Sequence, residues 1–124
     1  MSKILILGFH TINLILIIFY LYPGSLLGFF LYNDSSIQPQ ITRDFLISSN
    51  HFYVFIILSI SGIIAYNKTT RINVLITYLF LLSIILEFSH IIIPNRNFEL
   101  SDLFGNFLGV VLVITFYKIK NRYV

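Results

Sequence analysis

The chain has 124 residues, of which 57% are hydrophobic and only 10% are charged, and its formal net charge is +3. A soluble domain carries about 25% charged residues because water must hydrate its surface, so this composition excludes an ordinary soluble protein. The absence of cysteine excludes disulfides, thiolate catalysis and cysteine metal ligands. The basic residues stand beside apolar runs and not in a groove-reading element, so no nucleic-acid partner is expected. Composition predicts one lipid-embedded domain over residues 1–124.

Apolar runs in four places are long enough to cross a bilayer core of about 30 Å, which takes roughly 20 residues of helix. The predicted fold is an all-α bundle of transmembrane helices at about residues 4–22, 47–66, 72–93 and 102–117. The first run is predicted to be retained, because no small-residue cleavage pattern follows it. Pro94 ends the third helix, since proline cannot continue the hydrogen-bond pattern. Ser101 is predicted to be the N-cap of the fourth helix.

The long connection after the first helix contains a second kind of apolar segment, Leu26–Tyr32. It is too short to span a bilayer. It could lie in the interface or dip back into the bundle, and Phe29, Phe30 and Tyr32 favour the interface because aromatic rings settle at headgroup depth.

The basic residues are distributed unevenly between the two ends of the predicted bundle. Six of the eight Lys and Arg residues fall at one end, namely Lys3, Lys68, Arg71, Lys118, Lys120 and Arg122. Loops rich in Lys and Arg remain on the cytoplasmic side. We therefore predict that both termini are cytoplasmic and that the other two connections face outward.

Polar residues gather at one depth of the predicted bundle. The side chains that converge on its outer half are Asn50, His51, Glu87, His90, Arg96, Asp102 and Asn106. Glu87 and His90 are one helical turn apart, as are Asp102 and Asn106, so each pair shares a face. Glu87 is predicted to lie about 10 Å below the outer boundary at 1.5 Å per residue. A charge at that depth costs free energy unless it is paired, so Glu87 by default marks a functional site.

Several short motifs in the second half of the chain carry a family resemblance. They are Asn50-His51-Phe52, Glu87-Phe-Ser-His90, Pro94-Asn-Arg96 and Ser101-Asp102-Leu-Phe-Gly105-Asn106-Phe-Leu-Gly109. In this combination the region from Ser49 to Gly109 resembles the VanZ-like family, except that His90 stands where glutamine is usual. The resemblance implies a multi-pass protein of the bacterial cytoplasmic membrane, linked to the cell envelope; the namesake is an accessory factor for resistance to the glycopeptide teicoplanin. It implies no particular reaction, so enzyme activity is left open.

The polar residues allow two interpretations. In one, Glu87, Arg96 and Asp102 bind the phosphate or sugar of a lipid-linked envelope component. Arg96 would meet the anionic charge through its two-pronged guanidinium, Glu87 would hold a proton, and the remaining polar side chains would orient the site. Arg96 and Asp102 are expected to act together across the third loop. In the other interpretation the same residues form only a structural network.

Metal binding is a further alternative for the histidines. Glu-x-x-His on a helix is similar to the pair that supports di-iron sites in helical bundles, but such sites need several more carboxylates than this chain offers at that depth. We therefore expect no metal and no cofactor. A single ion held by Glu87, His90 and His51, or a haem between His51 and His90, is left as an alternative.

Small and polar residues elsewhere are predicted to join the helices. His10 and Asn13 are expected to form interhelical hydrogen bonds. Gly105 and Gly109 form a small-x-x-x-small pair that lets a second helix approach closely, and packing within the chain is favoured over dimerisation.

The function predicted from sequence is that of a VanZ-like envelope protein whose outer polar cluster recognises an envelope component. The expected partners are membrane lipids and a lipid-linked envelope precursor, and a homo-oligomer is left open. The alternatives are a structural or adaptor protein without a ligand and a small homodimeric transporter.

Overall fold

The computed structural model describes residues 2–124, and this part of the chain forms five α-helices and no β-strand. The helices are α1 (Ser2–Leu21), α2 (Leu26–Tyr32), α3 (Ser49–Tyr66), α4 (Ile72–Ser89) and α5 (Leu100–Tyr123). Within residues 2–124, four helices (α1, α3, α4 and α5) are long and apolar enough to cross a membrane. The predicted all-α class and the predicted spans are confirmed.

The surface of the long helices is mostly apolar. In each of them no more than 33% of the most apolar 18-residue window is buried inside the bundle. Large side chains such as Ile4, Ile85 and Phe116 are exposed on that surface. Exposing apolar area to water costs about 25 cal/mol per Å², so lipid is the solvent that suits it. This part of the chain has the architecture of a multi-pass membrane protein.

Helices α3 and α5 share the most extensive contact of the bundle. A Cβ atom added to Gly105 would lie 2.7 Å from the carbonyl oxygen of Ser48, and one added to Gly109 would lie 2.7 Å from that of Phe52. The two glycines thus allow the α5 backbone to approach α3 more closely than any side chain would permit. The predicted packing of this glycine pair within the chain is confirmed.

Hydrogen bonds join α1 to its two neighbours. His10 Nε2 lies 3.0 Å from the hydroxyl of Tyr66 on α3. Asn13 Nδ2 donates to the hydroxyl of Tyr78 on α4 at 2.6 Å, and that hydroxyl lies 2.9 Å from Asn13 Oδ1. The predicted interhelical role of His10 and Asn13 is confirmed.

The short segment Leu26–Tyr32 is a helix with a cap at each end. The Ser25 hydroxyl accepts from the backbone N–H of Gly28 at 2.9 Å. Asn33 ends the helix in the left-handed conformation with φ 53°, which asparagine tolerates. A helix of this length extends only about 10 Å, so it cannot cross a bilayer. Its aromatic side chains are exposed, and its interfacial placement stays a prediction.

The boundaries of two helices, α4 and α5, differ from the predicted ones. Helix α4 ends at Ser89 and not at Ile93. The backbone N–H groups of His90 and Ile91 donate three residues back, to the carbonyl oxygens of Glu87 and Phe88, and these tighter turns end the α-helix before Pro94. Helix α5 begins at Leu100 with Glu99 as its N-cap, so the prediction of Ser101 as the cap is wrong. It also continues to Tyr123, because a helix that has left the apolar layer can extend with charged residues.

Candidate functional site

A cluster of polar side chains occupies the end of the bundle where α3 and α5 begin. This polar cluster consists of Tyr20 from α1, His51 from α3, Glu87 and His90 from α4 and the turn after it, and Asp102 and Asn106 from α5. Every long helix therefore contributes to it. Because α4 ends at Ser89, Glu87 lies in the last turn of its helix and nearer the chain reversal than its predicted depth of about 10 Å.

Asn106 is the centre of the hydrogen-bond network. Its Nδ2 donates to the backbone carbonyl of Ser83 at 3.1 Å, which fixes the orientation of the amide. Its Oδ1 accepts from the Tyr20 hydroxyl at 2.6 Å and lies 3.0 Å from His51 Nδ1. Nδ1 of His51 also lies 2.9 Å from the Tyr20 hydroxyl. When Tyr20 donates its single hydrogen to Asn106, the tautomer of His51 that satisfies both contacts carries its proton on Nδ1. The free nitrogen of His51 is then Nε2.

Nε2 of His51 faces a carboxylate. It lies 3.4 Å from Oδ2 of Asp102, and the two side chains are only 17% and 19% exposed. A nitrogen lone pair and a carboxylate oxygen repel each other at this distance unless a proton or a cation lies between them. A proton shared between the two groups, or a bound cation, makes this contact favourable.

Glu87 is a completely buried carboxylate, with 0% of its side chain exposed. Its Oε1 accepts from the backbone N–H of Glu99 at 3.1 Å, which ties the end of α4 to the start of α5. Its Oε2 lies 3.3 Å from His90 Nδ1 and 3.8 Å from His51 Nδ1. Even so, Oε2 has no hydrogen-bond partner among the described residues. A buried polar atom without a partner costs free energy, so this oxygen is available to a ligand.

The orientation of His90 is set by α1. Its Nε2 donates to the backbone carbonyl of Tyr20 at 3.0 Å. Its ring also stacks on the Tyr20 ring, with the centroids 5.7 Å apart, and the centroid of the His51 ring lies 5.1 Å from that of Tyr20. The tyrosine ring thus contacts both histidines and leaves no room for a porphyrin between them. The haem alternative is not supported.

A cavity of about 770 Å³ opens beside the polar cluster. Its walls come from α1, α2, α3 and the two connections that precede α3 and α5. The charged and polar residues that line it include Asp44, Asn50, His51, His90, Arg96, Glu99 and Asp102. The apolar residues that line it include Ile12, Ile15, Leu16, Phe19, Leu27, Leu31, Val54 and Ile57. The cavity therefore offers a polar end and an apolar wall to the same occupant.

The structure brings the predicted site residues into one region but gives them different positions. His51, His90, Arg96, Asp102 and Asn50 line the cavity, and Glu87 and Asn106 are buried in the cluster beside it. Asn50 uses its amide on the chain itself: Nδ2 donates to Pro39 O at 2.6 Å and Oδ1 accepts from the N–H of Ile41 at 3.1 Å. Its role here is to hold the preceding loop against α3.

Arg96 binds backbone carbonyls at the end of α1. Its guanidinium donates to the carbonyl oxygens of Phe19 at 2.7 Å and Tyr22 at 3.2 Å. Those carbonyls belong to the end of α1, where a helix leaves its acceptors without partners. Among the described residues no ion pair joins Arg96 to Asp102, and the joint action of these two residues stays a prediction. Burial lowers the pKa of Arg96, while nearby acidic groups act in the opposite direction.

Sequence reasoning missed Tyr20 and Asp44. Tyr20 lies seven residues after Asn13, which is two helical turns and so the same face of α1; that spacing was a usable signal. Asp44 accepts from the backbone N–H of Ser49 at 2.9 Å and caps the first turn of α3. No sequence pattern indicated it, because a loop and not a regular cap spacing brings Asp44 to that position.

Comparisons of the chain with protein-family models, with curated proteins and with solved structures found no match. The fold and the site define a helical membrane protein with a polar cluster beside an amphipathic cavity. Because a fold alone does not determine function, the function has to be argued from that cavity.

Proposed function

We propose that the chain is a VanZ-like protein of the bacterial cell envelope that binds a lipid-linked envelope component in the cavity beside the polar cluster. The observation that carries this proposal is the amphipathic lining of the cavity, which combines Arg96, His51 and Asp102 with apolar side chains of α1, α2 and α3. An amphipathic lining of this kind suits a ligand with a polar headgroup and a hydrocarbon chain.

The polar residues that line the cavity carry hydrogen-bond donors and acceptors that a headgroup can use. A guanidinium has five N–H donors, and Arg96 uses its Nε and one Nη on the carbonyls of α1. Its remaining donors suit a phosphate oxygen. The partly exposed His51 and Asp102 suit the hydroxyl groups of a sugar. This chemistry favours a glycosylated or phosphorylated headgroup.

The size of the cavity fits a headgroup and the first part of its chain. Ligand pockets usually enclose about 300–1,000 Å³, and this cavity has about 770 Å³. The rest of a long hydrocarbon chain would continue along the exposed apolar surface of α1 and α3. In a bilayer that surface is covered by lipid in any case.

We place the protein in the cytoplasmic membrane with both termini inside, on the strength of the Lys and Arg distribution. In this orientation the cavity opens toward the outer leaflet. Lipid-linked envelope components are exposed in that leaflet, which is why the orientation supports the proposed ligand.

A second candidate function is that of a structural or adaptor protein. It is favoured by a specific observation: Arg96 and Asn50 both direct hydrogen bonds to the chain's own backbone. In this interpretation the polar cluster stabilises the chain reversals, and the cavity holds only bulk lipid.

Native mass spectrometry of the protein released from mild detergent separates the two candidates. The test variant is Ile57→Trp, at a side chain that lines the cavity and is 58% exposed, so the larger ring fits without disturbing the core. The control is Ile64→Trp, which is 51% exposed on the same helix and lines a separate cavity beside Lys68. We expect the wild type and the control to retain a polyprenyl-linked or glycosylated lipid and Ile57→Trp to lose it.

Two results would contradict the proposal. One is that the wild type retains only the bulk phospholipids of the membrane from which it was extracted. The other is equal retention of the same lipid by Ile57→Trp and Ile64→Trp. Either result favours the structural or adaptor protein.

A further inference from the structure

Three potential metal ligands from three helices meet at the edge of the polar cluster. His51, Glu87 and Asp102 each place one ligand atom within 4.8 Å of the others. From the set of donors and their arrangement we infer that these residues form a binding site for a divalent transition-metal ion of the Zn²⁺ type. This inference goes beyond the proposed function and does not depend on a lipid ligand.

The buried carboxylate of Glu87 is the independent observation in favour of a ligand. Its side chain is 0% exposed, and Oε2 lacks a hydrogen-bond partner among the described residues. Oε1 is held by the N–H of Glu99 at 3.1 Å, so the carboxylate is fixed while one oxygen points into the cluster. A buried carboxylate oxygen that is held in place and lacks a hydrogen-bond partner is suited to bind a metal ion.

His51 is oriented as a metal-bound histidine would be. Such a histidine almost always donates its second ring N–H to a carboxylate, a carbonyl or water, which fixes the ring and increases its basicity. Here Nδ1 donates to the amide oxygen of Asn106 at 3.0 Å. Nε2 is left free, 3.4 Å from Oδ2 of Asp102.

The spacing of these two atoms suits tetrahedral coordination. Zinc binds nitrogen and oxygen ligands at roughly 2.0–2.2 Å, so neighbouring ligand atoms lie about 3.3 Å apart. The His51–Asp102 distance of 3.4 Å agrees with that value. The three ligand atoms lie within 4.8 Å of one another, so movements of the His51 and Asp102 side chains on the order of 1 Å toward the fixed Glu87 carboxylate complete a three-ligand set. Because His51 and Asp102 line the cavity, the fourth position would open toward its contents.

Charge also favours a dication. Among residues 2–124 the ion-pair partners of Glu87 and Asp102 are His51 and His90, which carry charge only when protonated, and no Lys or Arg pairs with either carboxylate. A divalent ion neutralises both carboxylates at once. One imidazole in the set favours zinc over magnesium or calcium, which prefer sites made entirely of oxygen atoms.

The ligand set differs from the alternative that the sequence left open. No metal was expected from the sequence. The alternative that it left open combined Glu87, His90 and His51. In the structure Asp102 takes the place of His90. The Nε2 of His90 donates to the carbonyl of Tyr20, and its Nδ1 lies 3.3 Å from Glu87 Oε2, but His90 is not among the three residues whose ligand atoms all lie within 4.8 Å of one another.

The test measures metal bound by the full-length protein in detergent. The protein is treated with a chelator, desalted and incubated with one equivalent of Zn²⁺ or Co²⁺. We expect one tightly held Zn²⁺ per chain by elemental analysis, and with Co²⁺ the intense visible absorption of a tetrahedral site. His51→Gln, Asp102→Asn and Glu87→Gln should each weaken binding by about tenfold or more, since changes to outer-shell partners alone cost 10–100-fold.

The controls carry the same residue types outside the ligand set. His10→Gln changes a histidine that contacts Tyr66. Glu99→Gln changes a residue that contacts Glu87 through its backbone N–H and not through its side chain. Both should bind Zn²⁺ like the wild type. The site is ruled out if the wild type holds no stoichiometric Zn²⁺, or if Asp102→Asn binds as tightly as Glu99→Gln, in which case protons alone neutralise the cluster. Because the measurement is metal content, it can succeed or fail independently of lipid retention.

Discussion

A single amide organises the polar cluster at the scale of individual residues. Asn106 is fully buried, and both ends of its amide are engaged, by Ser83 on α4 and by Tyr20 and His51. An amide can do this because it carries donors and an acceptor on one rigid group. Asn106 therefore sets which nitrogen of His51 faces Asp102, although it does not itself face the cavity.

The sequence predicted most members of the cluster but not their pairing. Glu87 and Asp102 were identifiable because a carboxylate among apolar residues is unusual. The partner of Arg96 was not, since a guanidinium can bind either a carboxylate or the free carbonyls at the end of a helix. Which of these partners lies within reach depends on how α1 ends beside the connection between α4 and α5, and that is a property of the packed bundle.

The first prediction concerns Arg96→Lys. Lysine keeps the positive charge but cannot reproduce the fork that binds the carbonyls of Phe19 and Tyr22. Hydrogen bonds from charged groups contribute about 1.5–3 kcal/mol, so we expect a clear fall in the thermal midpoint in detergent. Arg43→Lys, in an exposed loop, is the control and should be neutral. An unchanged midpoint for Arg96→Lys would show that the guanidinium is free for a ligand.

The contact between α3 and α5 is the decisive feature at the scale of elements. The glycine pair brings the two helices together, and a Cβ at Gly105 would also lie 3.1 Å from the Cβ of His51. The close approach therefore sets the distance between His51 and the acidic face of α5. The spacing of the glycines predicted a close helix approach within the chain, but it did not identify α3 as the partner helix. The sequence did not predict the end of α4, because turns before a proline depend on which backbone groups find partners.

The second prediction concerns Gly109→Ala. The added methyl group would lie 2.7 Å from the backbone carbonyl of Phe52, and backbone cannot yield as a flexible side chain does. Overpacking of this kind usually costs about 1–3 kcal/mol. Gly8→Ala is the matched control, since a Cβ there meets nothing within 4 Å, and it should be neutral or slightly stabilising. Thermal unfolding of both variants in the same detergent makes the comparison, and equal midpoints would be inconsistent with a tight α3–α5 contact.

At the scale of the whole molecule, the orientation in the membrane decides which compartment the cavity serves. The chain has no cysteine, so single cysteines can report topology without background. Ser36, Asn97 and Thr70 are exposed positions in three different connections. We expect Ser36→Cys and Asn97→Cys to react with an impermeant thiol reagent in intact cells and Thr70→Cys to react only after lysis. Labelling of Thr70→Cys alone would place the cavity on the cytoplasmic side.

The loop that Asn50 holds against α3 forms part of the cavity but contributes no residue to the polar cluster. One wall of the cavity belongs to residues 33–48, whereas the polar cluster belongs to the long helices and the turn after α4. The amide of Asn50 binds the loop at Pro39 and Ile41 through backbone atoms alone. Exchange of the other loop side chains therefore leaves that attachment intact. The chain is in this sense modular: exchange of loop side chains that line the cavity, such as Gln38 and Ile41, would reshape the cavity while the polar cluster stays as it is, provided that Asp44 is kept to cap the first turn of α3.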